Sequence, residues 1–169
     1  MTEMGFLLLE SPAYRHVLLN HLPLTGLAVA ACVLAWGVFE DRWASIVLGL
    51  ALVAATSLSA LLVMQSGDAA YPRLFDELDG HGQAWLDHHA FLAERFGRGL
   101  PINGLLAVLA IGVGHRRLAW RRLLGVGLLV TTLASLVAAA VIAEAGGQIR
   151  HSEFRTSTPP VHDSAGRVR

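Results

Sequence analysis

The sequence predicts an all-α integral membrane protein, an antiparallel four-helix bundle with a long extramembrane extension of the third helix. Three observations carry that prediction. Of 169 residues, 54% are hydrophobic and only 15% are charged, against roughly 25% charged in an ordinary soluble domain. The apolar residues are gathered into four long runs at 17–39, 43–64, 100–113 and 123–145. Three of these runs contain no Asp, Glu, Lys or Arg before Glu144, as a helix of about 20 residues crossing a bilayer requires.

The first helix begins at Ser11-Pro12, an N-cap followed by proline at the first helical position, and runs to residue 39. Such a start carries His16 and His21 on one helix with a kink near Pro23. The second helix spans 43–64. Its ends are marked by Glu40-Asp41-Arg42 and by Ser66-Gly67-Asp68. The third apolar run is too short alone. The segment 83–98 before it sets Trp85, Leu86, His89, Leu92 and Phe96 on roughly one face, with Glu94 and Arg98 as an i,i+4 pair. One helix from 82 to 113, bent at Pro101, accounts for both. The fourth helix spans 123–145 and stops at Gly146-Gly147. Residues 1–155 then form the membrane domain, and 156–169, with Pro159-Pro160, read as a loosely ordered or partner-bound tail. No internal repeat stands out.

Charge supplies an orientation and excludes some functions. Thirteen basic and thirteen acidic residues balance, so nothing draws a nucleic acid. Every basic residue is arginine, and of the two short turns one holds Arg42 and the other Arg116, Arg117, Arg121 and Arg122. The positive-inside rule places these turns in the cytoplasm of a bacterial inner membrane and both termini in the periplasm; Arg150 and Arg155 oppose that placement. Cys32 lies inside an apolar run, as a packing residue does. Phosphate-binding glycine loops and serine nucleophile arrangements are absent.

Candidate chemistry rests on histidine. Of eight, His16, His21, His81, His88, His89, His151 and His162 fall on the terminal side. An antiparallel bundle collects His16 or His21, His88 or His89, and His151 at one end. Neutral imidazoles suit iron, copper or zinc, and a pair on opposite faces of a porphyrin suits haem b. His88 and His89 point about 100° apart, so only one turns inward, His89 with the apolar stripe. His21 and His89 are the first axial ligands by this reading, with His16, His88 and His151 as alternatives and His21, His89 and His151 as a metal-ion set. Asp87, Glu144 and Glu153 are candidate orienting carboxylates. For His21 alone, a hydrogen-bonded interfacial histidine is the plainer reading. Thr56, Ser57, Ser59, Thr131, Thr132 and Ser135 read as close helix packing, and Asn103 as a residue that could line a pathway.

The motifs resemble a family. His16-x-x-x-x-His21-Leu22-Pro23-Leu24 is similar to the "His-Pro-x-x-x-His-Phe-Pro-Ile" opening of predicted four-helix bacterial membrane proteins, grouped as domain of unknown function 2231. Ser66-Gly67-Asp68-Ala69-Ala70 resembles their "small-Gly-x-x-Ala" turn. His88-His89-Ala90 resembles their histidine segment, and Gly146-Gly147-Gln148-Ile149-Arg150-His151 their closing "Gly-Gly-x-x-x-x-His". Val17, Leu22 and Ser152 depart from the pattern. The resemblance covers nearly the whole chain in order. It implies the four-helix topology, and loosely a redox or cofactor role for His16, His21, His89 and His151.

The expected function is therefore a small membrane subunit, not a stand-alone catalyst. It would bind haem b or a transition metal at its periplasmic end and pass electrons between a larger membrane complex and a periplasmic carrier. A cofactor-free structural or assembly subunit is the alternative.

Overall fold

A computed structural model describes residues 10–155 together with Thr158 and Pro159. The expected tail and His162 lie outside the described residues, those two positions excepted. The helices are α1 (Pro12–Leu19), α2 (His21–Phe39), α3 (Trp43–Glu77), α4 (Gly80–Phe96), α5 (Gly99–Arg116) and α6 (Arg121–Arg150). Short 3-10 turns cover Leu118–Trp120 and Ser152–Phe154. They build four spans, Pro12–Phe39, Trp43–Glu77, Gly80–Arg116 and Leu118–Arg150, each long and apolar enough to cross a membrane. The protein is thus an all-α bundle of four membrane-compatible helices.

The N-cap at Ser11 forms as expected, its side chain accepting from Tyr14 N. Both odd-numbered spans are kinked, and each kink falls one turn ahead of its proline. Pro23 follows the α1/α2 junction and Pro101 the α4/α5 junction. Proline lacks an N–H and its ring collides with the carbonyl four residues back, which is Leu19 for Pro23 and Gly97 for Pro101. The backbone keeps helical angles through each junction (φ −63° at both Asn20 and Arg98). The bend expected at Pro101 is therefore at Gly97-Arg98.

Two helix ends differ from expectation. The second helix continues thirteen residues past Met64 to Glu77, and the fourth passes through Gly146-Gly147 to Arg150. Glycine costs a helix interior only about 1 kcal/mol, which packing against a neighbouring helix offsets. The real stops are elsewhere. Asp79 caps α4 through Gly82 N at 2.7 Å. Arg155 closes α6, with Nη2 donating to Ile149 O at 2.6 Å and Nε to Gln148 O at 2.8 Å. The second to fourth spans hold 35, 37 and 33 residues, or roughly 50 Å at 1.5 Å per residue. The extension expected of the third helix is shared by its neighbours.

Packing follows membrane rules, with small residues at the helix contacts. A Cβ on Gly49 would stand 2.6 Å from Leu34 Cα, and one on Gly37 would stand 2.7 Å from Ile46 N. The core is Leu27, Ala30, Leu34, Ile46, Leu50, Val53 and Ala107, while Val29, Trp36, Leu48, Ile102, Val130 and Val137 face outward. Inverted hydrophobicity of this kind suits a lipid surround.

A polar knot sits inside that core. Asn103 on α5 is buried and donates from Nδ2 to Ser57 Oγ on α3 (3.4 Å) and to Thr132 Oγ1 on α6 (3.2 Å). Its Oδ1 accepts from Thr131 Oγ1 at 2.7 Å. These partners use both donors and the acceptor of the amide, so the group is a three-helix clasp and the polar run in the second and fourth helices is helix packing. Replacing Asn103 by Ala should lower stability in detergent by about 1 kcal/mol, within the range measured for interhelical hydrogen bonds in membranes. Reversible unfolding in mixed micelles measures it, and an unchanged midpoint would show that the clasp contributes nothing.

Candidate functional site

The antiparallel arrangement gives the bundle two chemically distinct ends. The arginine-rich turns meet at one. At the other, α1 packs along the last turns of α3 and α4 along those of α6. In the bundle centre α2 and α5 join the two pairs, but at this end neither α1 nor α4 packs extensively across from one pair to the other. Two imidazoles meet between the pairs.

These are His16 on α1 and His89 on α4. Their ring centroids are 6.1 Å apart and their planes stand at 89°. His16 Nδ1 lies 2.9 Å from Val63 O, and His89 Nδ1 lies 2.9 Å from Ile142 O. A carbonyl only accepts, so each Nδ1 carries a proton, and in the neutral imidazole the free lone pair is then on Nε2. Among the described residues no hydrogen bond engages either Nε2.

Each acceptor is a mid-helix carbonyl that also serves its own helix; Val63 O accepts from Ser66 Oγ at 2.9 Å as well as from His16. Access to such a carbonyl depends on the residue four positions on. In a helix the Cβ leans toward the N-terminus and covers the turn before it, so a side chain at position i+4 screens the carbonyl at i. Here those positions are Gly67 and Gly146. A Cβ on Gly67 would stand 2.9 Å from His16 Nδ1 and Cε1, and one on Gly146 would stand 3.2 Å from the same atoms of His89. The two halves of the chain thus repeat one device, a histidine seated over a glycine and bonded to the carbonyl one turn before it.

The remaining candidates lie elsewhere. His21 is exposed, its Nδ1 bonded to Val17 O of its own helix at 3.0 Å. His88 sets its ring edge against Trp85, with centroids 5.7 Å apart. His151 lies past α6, stacked on Phe154 and 2.9 Å from Glu153 Oε1. The backbone N–H of Glu153 and then His151 hold that carboxyl below its ordinary value. The metal-ion set of His21, His89 and His151 does not assemble, and no group of three or more His, Cys, Asp or Glu suited to a metal ion occurs among the described residues. His21 and His151 are exposed and bond locally, and only His89 turns inward. The expected orienting carboxylates are also displaced. Asp87 accepts from the Tyr71 hydroxyl, Glu153 holds His151, and Glu144 is exposed. Phe96, expected on the inner stripe of α4, is 43% exposed because the stripe ends at the kink.

No known protein family, curated protein or solved structure matches the chain.

The residues that sequence reading passed over are the two glycines, which look like helix stops in a linear pattern. The signal available was that each lies within a run that stays helical on both sides, four residues after an apolar Val63 or Ile142. Nitrogen-15 spectra of histidine-labelled protein should show His16 and His89 as neutral Nδ1–H tautomers, assigned by His16→Asn and His89→Asn. Gly67→Val should perturb the His16 signal and leave that of His89. Nε2–H tautomers at both sites would overturn this geometry.

Proposed function

We propose that the protein is a membrane electron-transfer subunit that holds one b-type haem between His16 and His89. One observation carries the reading: two half-buried imidazoles from different halves of the chain oppose each other with both Nδ1 groups bonded to main-chain carbonyls. Metal-bound histidines nearly always donate their second ring N–H in this way, which fixes the tautomer and raises ligand basicity.

Spacing agrees. With metal–nitrogen bonds of about 2.0–2.1 Å, two imidazoles in trans on one ion hold their centroids roughly 6 Å apart. The number of ligands favours porphyrin over a bare ion. Zinc and copper sites take three or four protein donors, whereas a porphyrin brings four nitrogens and asks only for two axial ligands. His16 thus stands in the place first given to His21. Bound haem would supply reversible one-electron chemistry. The chain would supply the axial nitrogens, their orientation and the apolar walls that set the potential. The partner would be a redox protein or complex docking at the histidine end.

Absorption spectra of the purified protein, oxidised and dithionite-reduced, with iron analysis, test this. We expect a low-spin Soret band, a sharp reduced α-band and one iron per chain. His16→Ala and His89→Ala should each abolish the low-spin spectrum, while His21→Ala should keep it. Protein that stays colourless and metal-free, and that gains no low-spin spectrum when titrated with hemin, would discard the haem and favour a cofactor-free structural subunit.

By the positive-inside rule the arginine-rich turns support an orientation with the histidine end outside the cytoplasm of a bacterial inner membrane. Cys32→Ser combined with Ser152→Cys should be labelled in intact cells by a membrane-impermeant maleimide. Labelling only after permeabilisation would reverse the orientation.

A further inference from the structure

The arginine end carries a feature that the haem reading does not use. The turn between the first two spans and the turn between the last two converge there around a cleft of about 410 Å³. Its walls include Trp43, Ile46, Leu118, Arg121 and Arg122, with Asp41 at the same site. We propose that this cleft receives the phosphate of an anionic phospholipid from the surrounding leaflet.

Charge is the first argument. Five arginines (Arg42, Arg116, Arg117, Arg121 and Arg122) face two carboxylates, Glu40 and Asp41. Glu40 already lies 3.8 Å from Arg42, and Asp41 is exposed, so water screens its repulsion of an anion. Among the described residues Arg116, Arg117 and Arg122 have no acidic partner. Arg121 is held in place: its guanidinium lies 4.8 Å from the Trp43 ring centroid and its Nε donates to Gly114 O at 3.0 Å. No hydrogen bond among the described residues takes its two Nη groups. A fixed guanidinium with donors to spare suits a phosphate.

The backbone adds to the same field. Helix α3 starts at Trp43 and helix α6 at Arg121, both at the cleft, and neither start is satisfied by a side-chain cap. The starts of two helices, of 35 and 30 residues, therefore bring partial positive charge to one place.

Apolar surroundings decide between a lipid and a soluble anion. Ile46 and Leu118 line the cleft itself. Phe39, Leu118 and Leu123, at the margin of the apolar belt, are 80%, 69% and 64% exposed. A headgroup bound here would lay its acyl chains directly on that belt. Basic pockets between membrane helices bind acidic lipid headgroups by this combination.

The test uses the full chain, delipidated in a neutral detergent and titrated with short-chain phosphatidylglycerol or phosphatidylcholine. Phosphatidylglycerol should raise the unfolding temperature and be retained in native mass spectra, and phosphatidylcholine should not. Arg122→Gln, an exposed position free of packing, should weaken phosphatidylglycerol binding roughly five-fold, the share of one arginine near an acidic headgroup. Arg73→Gln, at the opposite end, should leave it unchanged. Equal binding of the two lipids, or an undiminished preference in Arg122→Gln, would overturn the proposal. Equal stabilisation by inorganic phosphate would assign the cleft to a soluble anion and overturn the lipid. None of these outcomes depends on whether haem is bound.

Discussion

A polar side chain inside an apolar bundle must find a partner there, because neither lipid nor packed side chains will solvate it. That requirement organises the structure around three points. Asn103 saturates itself on Ser57, Thr131 and Thr132, and so ties the third span to the second and fourth. His16 and His89 turn to the main chain instead, each bonding a carbonyl of an adjacent helix, and His16 shares its carbonyl with the Ser66 hydroxyl. A helical carbonyl is normally screened by the side chain one turn later. The two glycines at those positions make the solution available, and the seating of α1 on α3 and of α4 on α6 depends on them.

The prolines position these contacts. Each relaxes its helix one turn earlier in the chain, and each histidine lies on the far side of the resulting kink. The segments bearing the histidines lie against α3 and α6, and the two rings meet between these pairs. The same end is fastened from outside by polar contacts: Tyr71 to Asp87, Arg150 to Glu77 at 3.8 Å, and Arg155 to Asp79 at 3.9 Å. These exposed pairs are worth little singly, but they span the α3/α4 turn and the end of α6.

The two ends are built for different neighbours. At the histidine end two imidazoles, each bonded to a main-chain carbonyl, meet edge to face. At the arginine end the donors are charged, and Trp43 holds both Arg121 and, at 5.6 Å between centroids, His115. An acidic leaflet on that side would hold the bundle at a fixed depth.

The sequence by itself determined the class of the molecule: the length and polarity of its apolar runs admit only membrane-spanning helices, and proline and N-cap chemistry marked where the first and third would start and bend. Those properties are local and can be counted along the chain. Which histidine mattered was decided by the tertiary structure. His21 and His16 are equally plausible in a linear pattern, since both precede an apolar run. Only the approach of α1 to α3 exposes His16 to Val63 O while leaving His21 bonded to its own helix. Gly67 and Gly146 were likewise ambiguous. A missing side chain reads as a helix stop until a partner helix brings a ring to fill the space, and that ring lies about fifty residues away in sequence, beyond any local signal.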